Sequence, residues 1–302
     1  MAAKKRAHEK DARLSLDEIS LKRWVVFLVA DILGLVAFAV VFASPLKLVQ
    51  LEGEWAWLPS TLMDFLIFAG GFIFAVVFLR KVCKTTLRAF LVGDGEDIDW
   101  RQCGVIALLY ALGAAIADFL GSGFGSSLSL SHAGAAPVLA TLLVAVVFTW
   151  MQTTWEEIIF RGLFLRWACG NKIAPTARCV AAGLVGTLVF MAMHLANPEV
   201  TAQSGLSDVV MAAAAYFVAG GSLFALDVAF GNLMPGCVCH LVNNFISFAI
   251  LSQAGTAVVM ATVFVDSSPV TAPGMLATTV IGYLPLYIYV AVKAKKGELA
   301  RA

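Results

Sequence analysis

Three short stretches of an otherwise apolar chain carry groups able to do acid–base chemistry. The first is Thr154-Trp155-Glu156-Glu157-Ile158-Ile159-Phe160-Arg161-Gly162, where two adjacent carboxylates and a guanidinium interrupt a hydrophobic run. The second holds Phe190 and, four residues on, His194; the third holds His240 followed by Asn243 and Asn244. On a helix, Glu157 and Arg161 share one face in the favourable acid-first order, while Glu156 points ~100° away and has no partner on its own helix. His240 has Asn243 and Asn244 as its i+3 and i+4 neighbours. A charged group at the centre of a membrane helix costs roughly 2.5–3.5 kcal/mol, so such groups must meet one another or water. A carboxylate and two imidazoles gathered in one cavity can serve as general acid or base, relay protons, or ligate zinc with one position open.

The setting of these residues is a membrane. The chain has 302 residues, 60% of them hydrophobic and 14% charged, with a mean hydropathy of +0.87. A soluble domain averages about 45–50% apolar and about 25% charged residues. The net charge of +1 gives no electrostatic case for nucleic acid or for an acidic partner. Hydrophobic runs over 24–43, 58–79, 104–120, 137–168, 179–196, 209–230, 233–253 and 275–292 predict eight transmembrane helices. The fourth is too long for the bilayer: ~48 Å if wholly helical against a core of ~30 Å, so it must tilt, break or project. The basic segments (the N-terminus, 80–101, 166–178 and the C-terminus) alternate with loops that hold almost only Lys47, which puts both termini in the cytoplasm. Arg166, Lys172 and Arg178 are read as one such basic loop. The first run is long enough to stay as an anchor, so no cleaved signal peptide is expected.

Other polar residues have plainer readings. Asp64 and Asp118 lie near outer helix ends and suit solvated boundary carboxylates, and Asp31 is placed to bond a neighbouring helix. The six cysteines, including the Cys237-Val238-Cys239 pair beside His240, are read as small thiols rather than a disulfide framework or a zinc site. His240 falls ~10 Å from the cytoplasmic end of the seventh span, whereas His194 falls in the outer half of the fifth. The two can meet Glu156 near the midplane if the helices tilt or are irregular.

Together the three stretches resemble the CAAX-protease and bacteriocin-processing family of intramembrane proteases, called CPBP or Abi. The Glu-Glu pair with Arg five residues after the first Glu matches Glu156, Glu157 and Arg161; Phe-x-x-x-His matches Phe190 and His194; His-x-x-x-Asn matches His240 and Asn244. The resemblance covers residues 137–255. It implies hydrolysis of a peptide bond within the membrane, with Glu156 and His194 activating water and His240 and Asn244 holding the oxyanion. Glu157, Arg161 and Asn243 would support them. The family pattern favours a metal-independent, glutamate-type mechanism with no required cofactor; if zinc were used, Glu156, His194 and His240 would be its ligands.

The expected architecture is therefore an all-α polytopic membrane protein of about eight helices, with a polar catalytic cavity between helices 4, 5 and 7. It divides into a cytoplasmic tail at 1–23, helices 1–3 at 24–136, the catalytic core at 137–255, and helix 8 with a basic tail at 256–302. Its substrate would be a membrane-associated peptide or protein, and its place a prokaryotic plasma membrane. Two other readings stay open: a catalytically silent scaffold or immunity protein of the same fold, and a small proton-coupled transporter.

Overall fold

The computed structural model describes residues 14–253 and 260–299. Residues 1–13 of the expected tail, with His8, lie outside the described residues. The chain is an all-α polytopic membrane protein: α1 (Leu21–Phe38), α2 (Leu58–Lys81), α3 (Trp100–Gly121), α4 (Ala135–Glu157), α5 (Ala177–His194), α6 (Leu206–Phe230), α7 (Met234–Phe245) and α8 (Ala272–Lys295). Large apolar side chains such as Leu108, Leu143 and Met193 face outward, whereas Glu157, Arg161 and Asp227 are fully buried. This pattern suits a protein whose surroundings are hydrocarbon and whose polar groups must pair inside.

Among the described residues seven helices are long and apolar enough to cross a membrane, not eight. The exception is the expected seventh span, a shorter helix over Met234–Ile250. Gly231 takes a left-handed conformation (φ +76°) that ends α6, Pro235 opens α7, and after Ile250 the backbone becomes extended. A proline in a first turn loses no helical hydrogen bond, and a left-handed glycine is the common stop after a helix. The short helix is nevertheless central, packing on α3, α4 and α6.

The long fourth element resolves its mismatch by staying helical with an altered pitch. α4 continues through a π-helical turn, Ile158–Gly162, into Leu163–Cys169. That turn begins directly after Glu156 and Glu157, and such wide turns inside α-helices are frequent at functional sites. It lies against α5 because Gly186 has no side chain: a Cβ there would stand 2.2 Å from the Phe160 carbonyl oxygen.

Two sequence-based expectations need correction at the basic end. Arg166 is not a loop cation but a buried clamp. Its guanidinium donates to the carbonyls of Phe90 (2.7 Å), Leu91 (3.0 Å), Gly170 (3.2 Å) and Asn171 (2.9 Å), tying the short helix Leu87–Val92 to the end of the fourth span. The Leu91 carbonyl also accepts from Leu233 N at 2.8 Å, so the start of α7 hangs from the same point. Cys169 and Cys179 form a disulfide across the turn that leads into α5, where thiols were expected; Cys83, Cys103, Cys237 and Cys239 are free and buried. Asp31 behaves as anticipated, accepting a 2.7 Å hydrogen bond from the Trp155 indole on α4.

At the opposite end three short strands join otherwise separate loops. β1 (Leu128–Leu130) pairs antiparallel with β3 (Phe264–Asp266), which pairs parallel with β2 (Leu251–Gln253). Small residues let α3 and α8 meet closely: a Cβ on Gly113 would fall 2.0 Å from the Gly282 carbonyl oxygen. Gly113→Ala should therefore destabilise the detergent-solubilised protein by about 1–3 kcal/mol, seen as a lower thermal midpoint. Gly104→Ala on the same helix, where a Cβ meets nothing within 4 Å, should show no such fall.

Candidate active site

The two acids beside the wide turn of α4 face different partners. The Arg161 guanidinium donates from Nε to Glu157 Oε2 and pairs with its Oε1 as an ion pair, as the i,i+4 spacing anticipates, and both residues are fully buried. Glu157 does more than the sequence suggests, because its Oε1 also accepts from His240 Nδ1 at 2.6 Å. Glu156 turns the other way. Its Oε1 accepts from Gln152 Nε2 at 3.0 Å, and its Oε2 has no hydrogen-bond partner among the described residues. That free oxygen stands 3.6 Å from His240 Nε2, outside direct hydrogen-bond range and at a separation that suits a bridging water or substrate oxygen.

His194 reaches the same cavity from the last turn of α5. Its Nδ1 bonds the Phe190 carbonyl at 2.7 Å; a carbonyl can only accept, so Nδ1 carries the proton and Nε2 is the nitrogen with a lone pair. The ring stacks on Tyr216 of α6 with centroids 4.6 Å apart. Phe190 stands between the two imidazoles, 4.2 Å from the His194 ring and 5.9 Å from the His240 ring, centroid to centroid. Among the described residues His194 and Glu156 share no hydrogen bond; they share a cavity.

Asn243 and Asn244 form an ordered relay. Tyr110 of α3 donates to Asn243 Oδ1 at 2.6 Å, and Asn243 Nδ2 donates to Asn244 Oδ1 at 2.9 Å. With its oxygen engaged, Asn244 presents its amide N–H groups as donors.

The sequence missed Asp227, a fully buried acid near the end of α6. Its Oδ1 accepts from Gly236 N at 2.8 Å, at the start of α7, and its Oδ2 lies 3.9 Å from Arg161 Nε. A carboxylate is well placed at a helix N-terminus, where free N–H groups and the helix dipole favour negative charge. Tyr110, Gln152 and Tyr216 were missed as well. Only Gln152, four residues before Glu156, had a local signal.

Glu156, His194, His240, Asn243 and Asn244, with Tyr110, Gln152 and Tyr216 but not the buried Glu157, Arg161 and Asp227, line one cavity of about 850 Å³, together with Asp64 and Asp118, which the sequence had suggested were solvated boundary acids. The cavity lies between the C-terminal half of α3, the end of α5, α7 and the first half of α8, and reaches the strand-bearing end of the bundle. Among the described residues no three His, Cys, Asp or Glu side chains converge as ligands would. Removing the Asp227 carboxylate should unsettle the cluster: Asp227→Ala leaves Gly236 N and part of the Arg161 charge unpaired. A loss of about 3 kcal/mol or more in thermal or denaturant unfolding is expected, with a smaller loss for Asp227→Asn, which keeps an acceptor.

Residues 137–246 match the family model described as type II CAAX prenyl endopeptidase Rce1-like. No curated protein and no solved structure matches the chain. The matched segment, about a third of the chain, contains all three polar stretches, from Glu156 and Glu157 through His194 to His240 and Asn244, and over it the chain is similar to the CAAX-protease family.

Proposed function

We propose that this protein is an intramembrane endopeptidase whose water is activated by Glu156 with His194 and whose oxyanion is held by His240 and Asn244. The observation that carries this reading is which atoms are left free. Glu156 Oε2, His194 Nε2 and the Asn244 amide donors belong to one cavity, and each owes its freedom to a hydrogen bond made by the other end of its own side chain. A water between carboxylate and imidazole loses a proton as its oxygen attacks the scissile carbonyl carbon. The tetrahedral oxyanion accepts from Asn244 and from the Nε2–H of a doubly protonated His240, whose Nδ1–H is given to the Glu157 carboxylate, and the C–N bond then breaks as the amine takes up the abstracted proton. The products are one carboxylate and one amine. Glu157 holds His240 through Nδ1, and Arg161 offsets the second carboxylate. General base catalysis contributes ~10²–10⁴-fold, and one oxyanion donor ~10²–10³-fold.

The substrate on this reading is a membrane-associated peptide or protein, and the enzyme is metal-independent. The strand-bearing end holds the loops poor in Lys and Arg, so by the positive-inside rule the mouth opens away from the cytoplasm and both termini lie within it. A prokaryotic plasma membrane suits this compact form.

Cleavage of a quenched fluorescent peptide library by the detergent-purified protein tests the mechanism. Glu156→Gln and His194→Ala should each lower kcat/KM by about 10²–10⁴-fold, and a strong chelator should leave the wild type unaffected. Full cleavage by folded Glu156→Gln would overturn the assignment of the base. Inhibition by chelator with rescue by zinc would overturn metal independence. A folded wild type that cleaves nothing would favour a silent scaffold of the same fold.

A further inference from the structure

The wall of the cavity is acidic beyond what hydrolysis needs. Asp64, Asp118, Glu199 and Asp266 line it in addition to Glu156, and among the described residues no Lys or Arg does. Acids on a wall carry no message by themselves, and the buried Asp266 has both oxygens held by Ser127 and Ser268, but Glu199 is buried with one oxygen left over. It follows Asn197 in the loop after α5, is 8% exposed, and is held from one side only. Its Oε1 accepts from the Tyr216 hydroxyl and from Asn197 Nδ2 (3.0 Å), while its Oε2 is buried with no hydrogen-bond partner. An unmatched buried carboxylate oxygen carries a desolvation penalty that a cationic donor from a ligand would offset.

The position of Glu199 says where that donor belongs. Tyr216 joins the two sites: its hydroxyl bonds Glu199 and its ring stacks on His194. The carboxylate therefore stands one aromatic ring beyond the imidazole that would activate water. We propose that Glu199 forms a subsite for a basic side chain, Lys or Arg, borne by the substrate close to the scissile bond, with Asp64, Asp118 and Asp266 drawing the cationic peptide through the mouth. This rests on the endopeptidase reading for the word scissile, but the subsite itself is a binding property. A cleft lined by one sign of charge with low-dielectric walls concentrates ligands of the opposite sign, and a guanidinium or ammonium buried against a fixed carboxylate is discriminated from an apolar isostere.

The test uses the full chain in detergent and paired peptides that differ only in Lys against norleucine, stepped along the sequence. Fluorescence anisotropy on the Glu156→Gln protein measures binding without turnover, and the wild type measures cleavage of the same pairs. One position should prefer Lys by more than about tenfold in Kd, and in kcat/KM where cleavage occurs, with the preference shrinking at high salt. Glu199→Gln, which keeps the shape and the acceptor for Tyr216, should bring the ratio to about one. Equal binding of Lys and norleucine peptides at every position overturns the subsite, as does a ratio unchanged in folded Glu199→Gln. If that variant does not fold, Glu199→Asp takes its place: a shifted carboxylate should weaken the preference, and an unchanged ratio overturns the proposal. Lys-selective binding without any cleavage would overturn the endopeptidase reading and leave the cationic subsite standing.

Discussion

The fold is organised around a guanidinium that has nowhere else to go. Arg161 is buried in the middle of the bundle, and an isolated charge there would be untenable, so the chain must bring carboxylates to it. Glu157 comes from the same helix and Asp227 from α6. Each acid then uses its remaining capacity to hold α7, Glu157 through the His240 ring and Asp227 through the Gly236 N–H. One cation thus fixes three helices in mutual register. The imidazole at the base of the cavity takes its orientation from this arrangement, not from any contact with substrate.

The division of labour between Glu156 and Glu157 follows from helical rotation. Neighbouring residues on a helix point about 100° apart. One acid can therefore join the charge cluster while the other lines the cavity, and a single dipeptide supplies both a structural ion pair and a buried carboxylate with one oxygen unpaired. The wide turn that starts at Ile158 follows directly, and Gly186 lets the Phe160 carbonyl approach α5. A similar economy holds His194 and Asn244, where one polar atom is spent on a local hydrogen bond and its partner is turned outward.

Much of this was legible in the residues. Composition and loop charge gave the membrane and the helices, because hydrocarbon admits few alternatives. Spacing within single helices gave the Glu157–Arg161 pair and the shared face of His240, Asn243 and Asn244. Pairings between helices were harder to read. Asp227 looks like any lone acid near a helix end, and only its distant partner Arg161 gives it meaning. Tyr110 and Tyr216 read as ordinary aromatics until α3 and α6 bring their hydroxyls to Asn243 and Glu199. Arg166 misled for the opposite reason: a cation beside a basic loop suggests solvent, yet its partners are backbone carbonyls, which carry no sequence signal. The shortened α7 was hidden because its apolar run continues into β2 without a change in composition.

The Arg166 clamp also separates two kinds of variation. It fixes Leu91, and Leu91 fixes the first residue before α7, so the depth of His240 is set from the basic end of the bundle. The mouth is built at the far end, from strands and the loop after α5. The hydrogen bonds that anchor the start of α7 involve none of those loops, much as a lock's wards can be recut while its bolt stays in place. His240 is thus positioned from the basic end of the bundle, whereas His194 and Glu199, joined through Tyr216, belong to the mouth.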